Sequence, residues 1–251
     1  EEQRHADFCG KINLVPDEFQ SYNAFISISL KSGESLNQKI SFYAGNRTDY
    51  TLFSEGKSYY RIILGAEASE SEKWAAGELQ HWIREISGAE ISIGEMNNQY
   101  PGPQIYIGYN DLVKEKTGDE VPADLDESFR YCSKGADVFI FGGKIRGSMY
   151  GVMAFLENEL GCRWYTPGVS VIPQKKEFIF NRFDHSEKPG IRVRNDFYYE
   201  AFDPVWAARN RMNGSMAARQ QPGGVESYWG VHTFYPLMPP EEFLIPVTNG
   251  S

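Results

Sequence analysis

The stretch that decides the fold runs Arg146-Gly-Ser-Met-Tyr-Gly-Val-Met-Ala-Phe-Leu-Glu-Asn-Glu-Leu-Gly-Cys-Arg-Trp-Tyr-Thr-Pro-Gly168. Its apolar residues recur at helical spacing, which predicts one buried face of a helix. Ser148 is a candidate cap for the start of this helix, and Gly161 suits a left-handed residue just past its end. The apolar positions are Met149, Val152, Met153, Leu156 and Leu160.

Two strands are predicted to flank this helix. Residues 136–143 are predicted to form a buried strand that ends in a glycine turn, and residues 162–166 another strand, which Pro167-Gly168 ends. Gly151 lies in the middle of the helix, where glycine costs about 1 kcal/mol relative to alanine. A close approach between helix and sheet would explain its presence. The stretch therefore predicts a strand–helix–strand unit, without indicating any chemistry.

The same stretch carries a family resemblance. Gly143-Lys-Ile-Arg-Gly-Ser-Met-Tyr-Gly-Val152, followed by Phe155-Leu-Glu157 and Leu160-Gly-Cys-Arg-Trp-Tyr-Thr-Pro167, resembles the N-terminal domain that precedes the catalytic barrel in family 67 α-glucuronidases. Family 20 β-N-acetylhexosaminidases have a related domain. The chain looks closest to a glycosidase-like bacterial family of unknown function with this domain ahead of a barrel. The resemblance implies a secreted or periplasmic glycoside hydrolase acting on a complex polysaccharide or glycan.

Composition limits the possible partners. The chain has 251 residues, 41% of them hydrophobic, and a net charge of −9. Its acidity argues against nucleic acid and anionic membranes as partners, and no apolar run is long enough to span a bilayer. The first residues have no apolar signal core, so any signal peptide is absent from this sequence. Three scattered cysteines favour buried free thiols over a zinc site: Cys9, Cys132 and Cys162.

Residues 1–50 are predicted as a β-rich N-terminal extension. Phe25–Leu30 alternates apolar and polar side chains, and Lys39–Tyr43 is its candidate partner strand. Residues 51–180 are predicted as an α/β (α+β) domain. It begins with a hairpin over residues 51–64 that feeds a core strand.

The rest of this domain follows the same local signals. Ser69 and Glu72 form a capping box that opens a helix to about Ser87, which Gly88 ends. Residues 110–126 are predicted as a charged loop. The helices and at least five short strands predict a mixed sheet with helices packed on it. Strands are expected over residues 90–93, 104–108, 128–132, 137–141 and 176–180.

Residues 181–190 have linker composition, and residues 191–251 are predicted to begin a (β/α)₈ barrel. Ile191–Tyr199 is the expected first strand, and Val205–Asn213 the first helix. Gly230–Tyr235 is the expected second strand, followed by a helix at Glu241. A complete barrel takes roughly 250 residues, so this segment is predicted to be incomplete. We expect it to pack against the α/β domain, to pair with another copy of the chain, or to be partly disordered.

Candidate binding residues come from these barrel strands. Arg194 and Asp196 alternate so that both face one side of the expected first strand. The resemblance implies that an arginine at this position contacts the sugar, and a structural Arg–Asp pair is the competing interpretation. His232 would lie near the end of the second strand, where it could bind a sugar hydroxyl or stabilise a turn.

No catalytic residue, metal site or cofactor is predicted. Asp196 and Glu200 would be near 13 Å apart on an extended segment, too far for the two carboxylates of a glycosidase. The resemblance places the catalytic acids on later strands, so this chain alone is predicted to be inactive. Two hypotheses remain. The chain is either the non-catalytic N-terminal portion of a glycoside hydrolase or a stand-alone carbohydrate-binding or structural module.

Overall fold

A computed structural model of the chain describes residues 20–29, 32–33, 35–44, 48–95, 100–120, 122–123, 126–214, 221–226 and 237–243. The chain divides into two compact units, Glu1–Tyr50 and Thr51–Ser251. In the first unit, β1 (Gln20–Ser29) and β2 (Ser35–Ala44) form an antiparallel hairpin with Phe25 opposite Lys39. The strand pairing predicted for this stretch is confirmed.

The rest of the described chain is an α/β fold. Its strands are β3 (Tyr50–Ser54), β4 (Arg61–Leu64), β5 (Ser92–Glu95), β6 (Gln104–Ile107), β7 (Phe129–Lys134), β8 (Asp137–Gly142), β9 (Arg163–Thr166), β10 (Val169–Val171), β11 (Glu177–Phe180) and β12 (Asp184–Glu187). Six of them form a mixed sheet of order β12-β7-β8-β6-β4-β5. Strands β5, β4, β6 and β8 are parallel, whereas β7 is antiparallel to both β8 and β12. The predicted fold class is confirmed. The helices are α1 (Glu70–Ser87), α2 (Asp111–Thr117), α3 (Gly147–Asn158), α4 (Pro204–Arg209) and α5 (Pro240–Phe243), with a 3₁₀ helix at Tyr199–Phe202.

Helices cover both faces of the sheet. On one face, α3 lies so close to β8 that a β-carbon on Gly151 would be 3.0 Å from Ile140 Cγ2. Because successive strand residues point to opposite faces, Phe139 faces away from its neighbour Ile140. Val113 of α2 belongs to the same buried cluster as Tyr106 and Phe139, so α2 packs on the other face of the sheet. The close approach predicted from Gly151 is therefore present, and α1 packs beside α3.

Helix α1 follows its sequence signals closely. The Ser69 backbone N–H donates to Glu72 Oε2 at 2.8 Å, and the Glu72 N–H donates to Ser69 Oγ at 3.2 Å, so both halves of the capping box form. Gly88 takes the left-handed conformation with φ of 75° and ends the helix. Five apolar side chains that recur at helical spacing along α1 are buried: Ala75, Leu79, Trp82, Ile83 and Ile86.

Helix α3 is buried on every side from Gly147 to Leu156, because the sheet, α1 and α4 all contact it. The predicted apolar face is buried, and Gly161 has a positive φ of 86°. Ser148 is not the cap, and this prediction is wrong. Arg146 occupies the N-cap position without a side-chain cap. The Ser148 hydroxyl instead accepts the Gly142 N–H at 3.1 Å and so joins the helix to the end of β8.

Two further local predictions differ from the structure. The predicted hairpin over residues 51–64 does not form, because β3 pairs with β11 and β4 pairs with β5 and β6. The predicted loop at 110–126 contains α2, which the Asn110 side chain caps and Gly118 ends. That helix has only seven residues, too few to display a repeating apolar pattern.

The predicted linker 181–190 supplies strand β12, which pairs with β7 at the edge of the sheet. The predicted strand Ile191–Tyr199 is absent from the structure, where residues 191–198 have irregular backbone. That stretch hydrogen-bonds to a loop rather than to a strand, since Asn213 N and Gly214 N donate to Arg194 O at 3.1 and 3.0 Å. The predicted strand Gly230–Tyr235 lies outside the described residues, and the division into domains stays a prediction.

We call residues 51–187 the α/β layer, and we call the described residues 191–214 and 221–226 the docked segment.

Cys132 and Cys162 in the layer are buried free thiols, as predicted, and burial raises the pKa of each to about 11. Cys9 lies outside the described residues. In the part of the chain that the structure describes, no helix is long and apolar enough to cross a membrane.

Candidate functional site

Arg194, the first predicted substrate-binding residue, is held by protein groups on all three guanidinium nitrogens. Its Nε donates to Arg211 O at 2.7 Å, and its Nη1 donates to Ile191 O at 2.7 Å. Its Nη2 forms a 2.5 Å ion pair with Glu127 Oε2. The guanidinium carbon also lies 5.6 Å from the centroid of the Tyr150 ring. The position that we predict to face a sugar therefore faces the α/β layer.

Glu127 is the carboxylate on which these contacts converge. Its Oε1 accepts Arg146 Nε at 2.5 Å and Asn213 Nδ2 at 2.7 Å, while its Oε2 binds Arg194. The Glu127 side chain is only 10% exposed. A buried carboxylate is costly unless it is paired and hydrogen-bonded, and here three donors satisfy it.

Arg146 connects this carboxylate to a second one. Its side chain is 4% exposed, its Nη2 is 2.5 Å from Glu226 Oε1, and its Nη1 donates to Gly223 O at 3.0 Å. Gly223 has a φ of 77°, and a β-carbon there would lie 2.7 Å from Arg146 Cγ. Two arginines thus meet two glutamates, which balances charge inside the protein. We call Glu127, Arg146, Arg194, Asn213 and Glu226 the Glu127 cluster.

Asn213 fixes the docked segment to this cluster through both ends of its amide. Besides Glu127, its Nδ2 donates to Arg192 O at 2.8 Å, and its Oδ1 accepts the Arg194 N–H at 2.7 Å. The Asn213 side chain is fully buried. Its backbone carbonyl accepts the Glu226 N–H at 2.7 Å. An amide is needed here because the position requires a donor on one side and an acceptor on the other.

The cluster positions chain segments and is not arranged to react. Its guanidinium and carboxylate groups are already paired, and Tyr150 beneath Arg194 donates its hydroxyl to Met212 O at 3.2 Å. Burial, with Glu127 nearby, raises the pKa of Tyr150, so this phenol stays protonated.

A cleft of about 260 Å³ lies beside the cluster. It is lined by Asp126, Glu127, Lys188, Pro189, Arg192 and Glu226.

A second set of contacts joins helix α4 to helix α1. Arg209 forms a bidentate pair with Glu78, with N–O distances of 2.7 and 3.0 Å. The Arg209 guanidinium lies 4.9 Å from the Trp82 ring centroid, and Trp82 Nε1 donates to Glu78 Oε2 at 2.9 Å. Trp206 is half-buried and donates its indole N–H to Trp164 O at 3.0 Å. Trp206 therefore packs against the layer.

Asp196, the second predicted binding residue, does not meet Arg194 in an ion pair. Its Oδ1 accepts the Tyr198 N–H at 2.9 Å, which closes a local turn before the 3₁₀ helix. The competing interpretation, a structural pair between Arg194 and Asp196, is not what the structure has, because the carboxylate that pairs with Arg194 is Glu127.

His232, the third predicted binding residue, lies outside the described residues, as does Trp229. Its role stays a prediction. Among the residues that the structure describes, no group of three His, Cys, Asp or Glu side chains is placed to hold a metal ion.

Three consecutive aromatic residues follow Asp196 and face outward. Phe197, Tyr198 and Tyr199 are 71%, 72% and 87% exposed. Large aromatic side chains are usually buried, so an exposed run is informative. We call these three residues the aromatic run. They lie beside Asp196, in the part of the chain where we predict substrate contacts.

Sequence reasoning missed Glu127, Arg146, Asn213 and Glu226. Arg146 falls within the stretch that carries the family resemblance, and Asn213 belongs to the Arg-Met-Asn-Gly end of the predicted helix. The sequence does not reveal that either residue belongs to the cluster. The two carboxylates that bind Arg146, for example, lie 19 and 80 residues away in the chain. A buried ion pair between distant residues leaves no local pattern.

The fold and this cluster define an α/β protein whose docked segment contacts the α/β layer through ion pairs. The sequence family described as a domain of unknown function, DUF4838, matches residues 164–246, a range that includes the docked segment. Among curated proteins, no sequence matches the chain.

Three solved structures are similar to parts of the chain. One is described as a family GH115 4-O-methyl-α-glucuronidase with specificity for decorated arabinogalactans (TM-score 0.44, 12% identity, 65% of this chain and 25% of that one). Another is a chitobiase of Flavobacterium johnsoniae (TM-score 0.38, 16% identity, 59% of this chain and 20% of that one). The third is a GH138 enzyme targeting pectin rhamnogalacturonan II (TM-score 0.32, 15% identity, 54% of this chain and 12% of that one). The chain thus spans a quarter or less of the length of each.

Proposed function

We propose that this chain is a non-catalytic portion of a glycoside hydrolase-type protein, in which the α/β layer holds the docked segment in a defined position. The observation that supports this most is the Glu127 cluster. One buried carboxylate binds Arg146 at the start of α3 and both Arg194 and Asn213 of the docked segment. On this proposal, Arg194 orients the chain that leads into a barrel and does not contact sugar.

The chemistry of glycoside hydrolysis explains why we propose an inactive chain. It requires two carboxyl groups that flank the glycosidic bond, one of them free to donate a proton. Both oxygens of Glu127 accept hydrogen bonds from cationic or amide groups, and Asp196 accepts a backbone N–H of its own turn. The family resemblance implies catalytic acids on later barrel strands, outside residues 1–251. Secretion or export to the periplasm, and a complex glycan as substrate, belong to the same proposal.

An activity assay on the purified chain tests this proposal. No turnover of aryl α-glucuronides or aryl β-N-acetylglucosaminides is expected, because losing positioned acid–base catalysis costs orders of magnitude in rate. Asp196→Asn is the companion variant, since it keeps the side-chain shape. Turnover above background that Asp196→Asn abolishes would contradict the proposal, because it would show that the docked segment contains an active site.

A second candidate function is carbohydrate binding by the aromatic run. An exposed aromatic ring offers an apolar face on which a sugar ring can stack. If the run binds glycans, Phe197→Ser with Tyr199→Ser should abolish retardation of the chain in gels containing arabinogalactan or pectin. Tyr59→Ser is the matched control, because Tyr59 is 77% exposed but lies in the α/β layer, two residues before β4. Equal migration of all variants, with and without polysaccharide, would rule this function out.

Self-association through the docked segment is also part of the proposal. Ile191 is 67% exposed and the aromatic run adds apolar surface nearby in sequence. Two chains could cover these surfaces with one another. Sedimentation velocity across a concentration series measures this directly, and a single monomeric species at all concentrations would exclude it.

A further inference from the structure

A cleft of about 370 Å³ lies in the α/β layer, on residues that the proposed function does not use. It opens where β4, β6 and β8 reach their carboxyl ends, since its lining includes Gly65, Gly108 and Gly142, at or directly after the last residue of each strand. These three strands are parallel neighbours. The cleft therefore sits at the carboxyl edge of the parallel part of the sheet.

The connections of the sheet diverge at this cleft. From β4 the chain passes through α1 to β5 on one side, and β6 lies on the other side of β4. Helix α1 covers one face of the sheet, whereas α2, which follows β6, packs on the other face. Open α/β sheets bind ligands at such a point, in the crevice outside the carboxyl ends of the strands.

Glu72 places a buried carboxylate in the wall of this cleft. The residue is 3% exposed, and its Oε2 accepts the Ser69 N–H of the capping box. Its other oxygen, Oε1, lies 2.6 Å from the position that a β-carbon on Gly108 would occupy. Gly108 has a φ of 90°, so the absence of a side chain there leaves room beside Oε1. Burial raises the pKa of Glu72 and outweighs the opposing effect of its hydrogen bonds to Ser69 and Ser148 and of the nearby Lys144.

Hydrogen-bond donors lie in the same cleft. Asn110 Nδ2 lies 3.8 Å from the position of a β-carbon on Gly65, which puts the amide N–H groups at the cleft wall. Lys144 also lines the cleft, and its ammonium is only loosely paired, at 3.9 Å from the exposed Glu67. Acceptor and donor groups thus face one small volume.

The charge of the lining selects among possible ligands. The acids Glu67, Glu72 and Asp111 outnumber the single cation Lys144, so an anion such as phosphate is disfavoured despite the nearby start of α1. Hydroxyl groups both donate and accept hydrogen bonds, which matches a lining that offers both. The volume is at the lower end of the range for small-molecule sites, which suits a ligand of monosaccharide size.

We propose that this cleft is a binding site for a neutral, hydroxyl-rich small molecule of monosaccharide size, with Glu72 Oε1 as an acceptor and Asn110 and Lys144 as donors. The site is separate from the aromatic run and from the Glu127 cluster. Different residues form this site, so the binding proposal can be tested independently of the proposed function.

Saturation-transfer NMR on the intact chain tests the site, with glucose, galactose, xylose, arabinose and mannitol as probes at millimolar concentration. At least one of them should give a signal. Ala66→Trp places a large side chain on the rim at an exposed position and should weaken binding about tenfold or more. Ser170→Trp, at an exposed position on β10, is the matched control and should leave binding unchanged.

Glu72→Gln separates ligand binding from folding. Glutamine also serves at this position of a capping box, so the melting temperature should be kept while affinity falls about tenfold, or about 1.4 kcal/mol. The proposal is overturned if none of the probes binds, or if binding survives both Ala66→Trp and Glu72→Gln. Binding of glucosamine without any neutral probe would also overturn it, by assigning the cleft to an ammonium ligand.

Discussion

The α/β layer and the docked segment bury different kinds of side chain. In the layer, the largest fully buried residues are aromatic and branched aliphatic, among them Tyr131, Phe139, Phe155 and Ile83. In the docked segment as described, the buried apolar residues are three alanines, Ala201, Ala207 and Ala208, beside the buried polar residues Asn213 and Gln221.

This difference indicates which interactions stabilise each region. Burying apolar area stabilises by about 25 cal/mol per Å², so large side chains contribute far more than alanines. The docked segment lacks that contribution and relies on the Glu127 cluster and on the Arg209–Glu78 pair. Its stability should therefore respond to single charges, whereas that of the layer should respond to changes in volume.

Removing the central arginine should have the largest effect. Arg146→Met keeps an apolar stem but removes the partner that Glu127, 10% exposed, shares with Glu226, 18% exposed. Breaking a largely buried pair in this way costs about 3–5 kcal/mol. Chemical denaturation followed by circular dichroism measures the loss. Arg84→Met is the control, because the Arg84 side chain is about half exposed and lies 3.8 Å from Glu85. Equal losses in both variants would show that the cluster does not stabilise the protein.

A change in volume at the helix–sheet contact should come next. Gly151→Leu should destabilise by about 1–3 kcal/mol, because a β-carbon already meets Ile140 at 3.0 Å and Phe129 at 3.3 Å. Gly77→Ala in α1 is the matched control, with no atom within 4 Å of its β-carbon, and should stabilise by up to about 1 kcal/mol. A Gly151→Leu protein that is more stable than the wild type would contradict the close approach.

An ion pair at the sheet edge should have the smallest effect. Arg130 donates to both oxygens of Asp184, each at 2.8 Å, and holds the pKa of Asp184 below its usual value. Because the folded pKa is lowered, this stabilisation is present above the ordinary aspartate pKa of about 3.9 and is lost as the pH falls toward the folded value. At pH 7, Asp184→Asn should cost from a few tenths to about 1 kcal/mol.

Urea unfolding of the wild type and Asp184→Asn at pH 7 and at acidic pH measures this dependence. The difference between the two proteins should shrink as the pH falls. Arg130→Met should lose stability with the same dependence, since it removes the other partner. A difference that grows toward acidic pH would contradict the assigned pair.

The layer could be predicted largely from the sequence, whereas in the docked segment only helix α4, with Asp203 as its cap and Pro204 in its first turn, agrees with the predicted helix. Ser69, Glu72 and Gly88 mark the ends of α1 by local signals, and periodicity marks the buried faces of α1 and α3. Local signals report contacts between residues that are close in the chain.

The predictions that differ from the structure concern contacts between residues that are distant in the chain. The Ile191–Tyr199 stretch has β-forming composition, yet its polar groups bond to residues 211–214 and to Glu127, which no nearby pattern predicts. The pairing of Arg194 with Glu127 was not predicted for the same reason, and sugar binding by Arg194 stays a prediction. The cleft at Glu72 was also not foreseen, because a capping-box glutamate gives no sign that its second oxygen lines a cavity.

A double-mutant cycle on Glu127 and Arg194 tests the central claim most directly. Glu127→Gln, Arg194→Met and the double variant are unfolded in urea, and the coupling free energy is taken from the three losses. The account predicts a coupling of about 1–3 kcal/mol, because the two side chains meet in one buried network. Losses that add to within about 0.3–0.5 kcal/mol would contradict it, since they would show that the arginine of the docked segment is not held by the α/β layer.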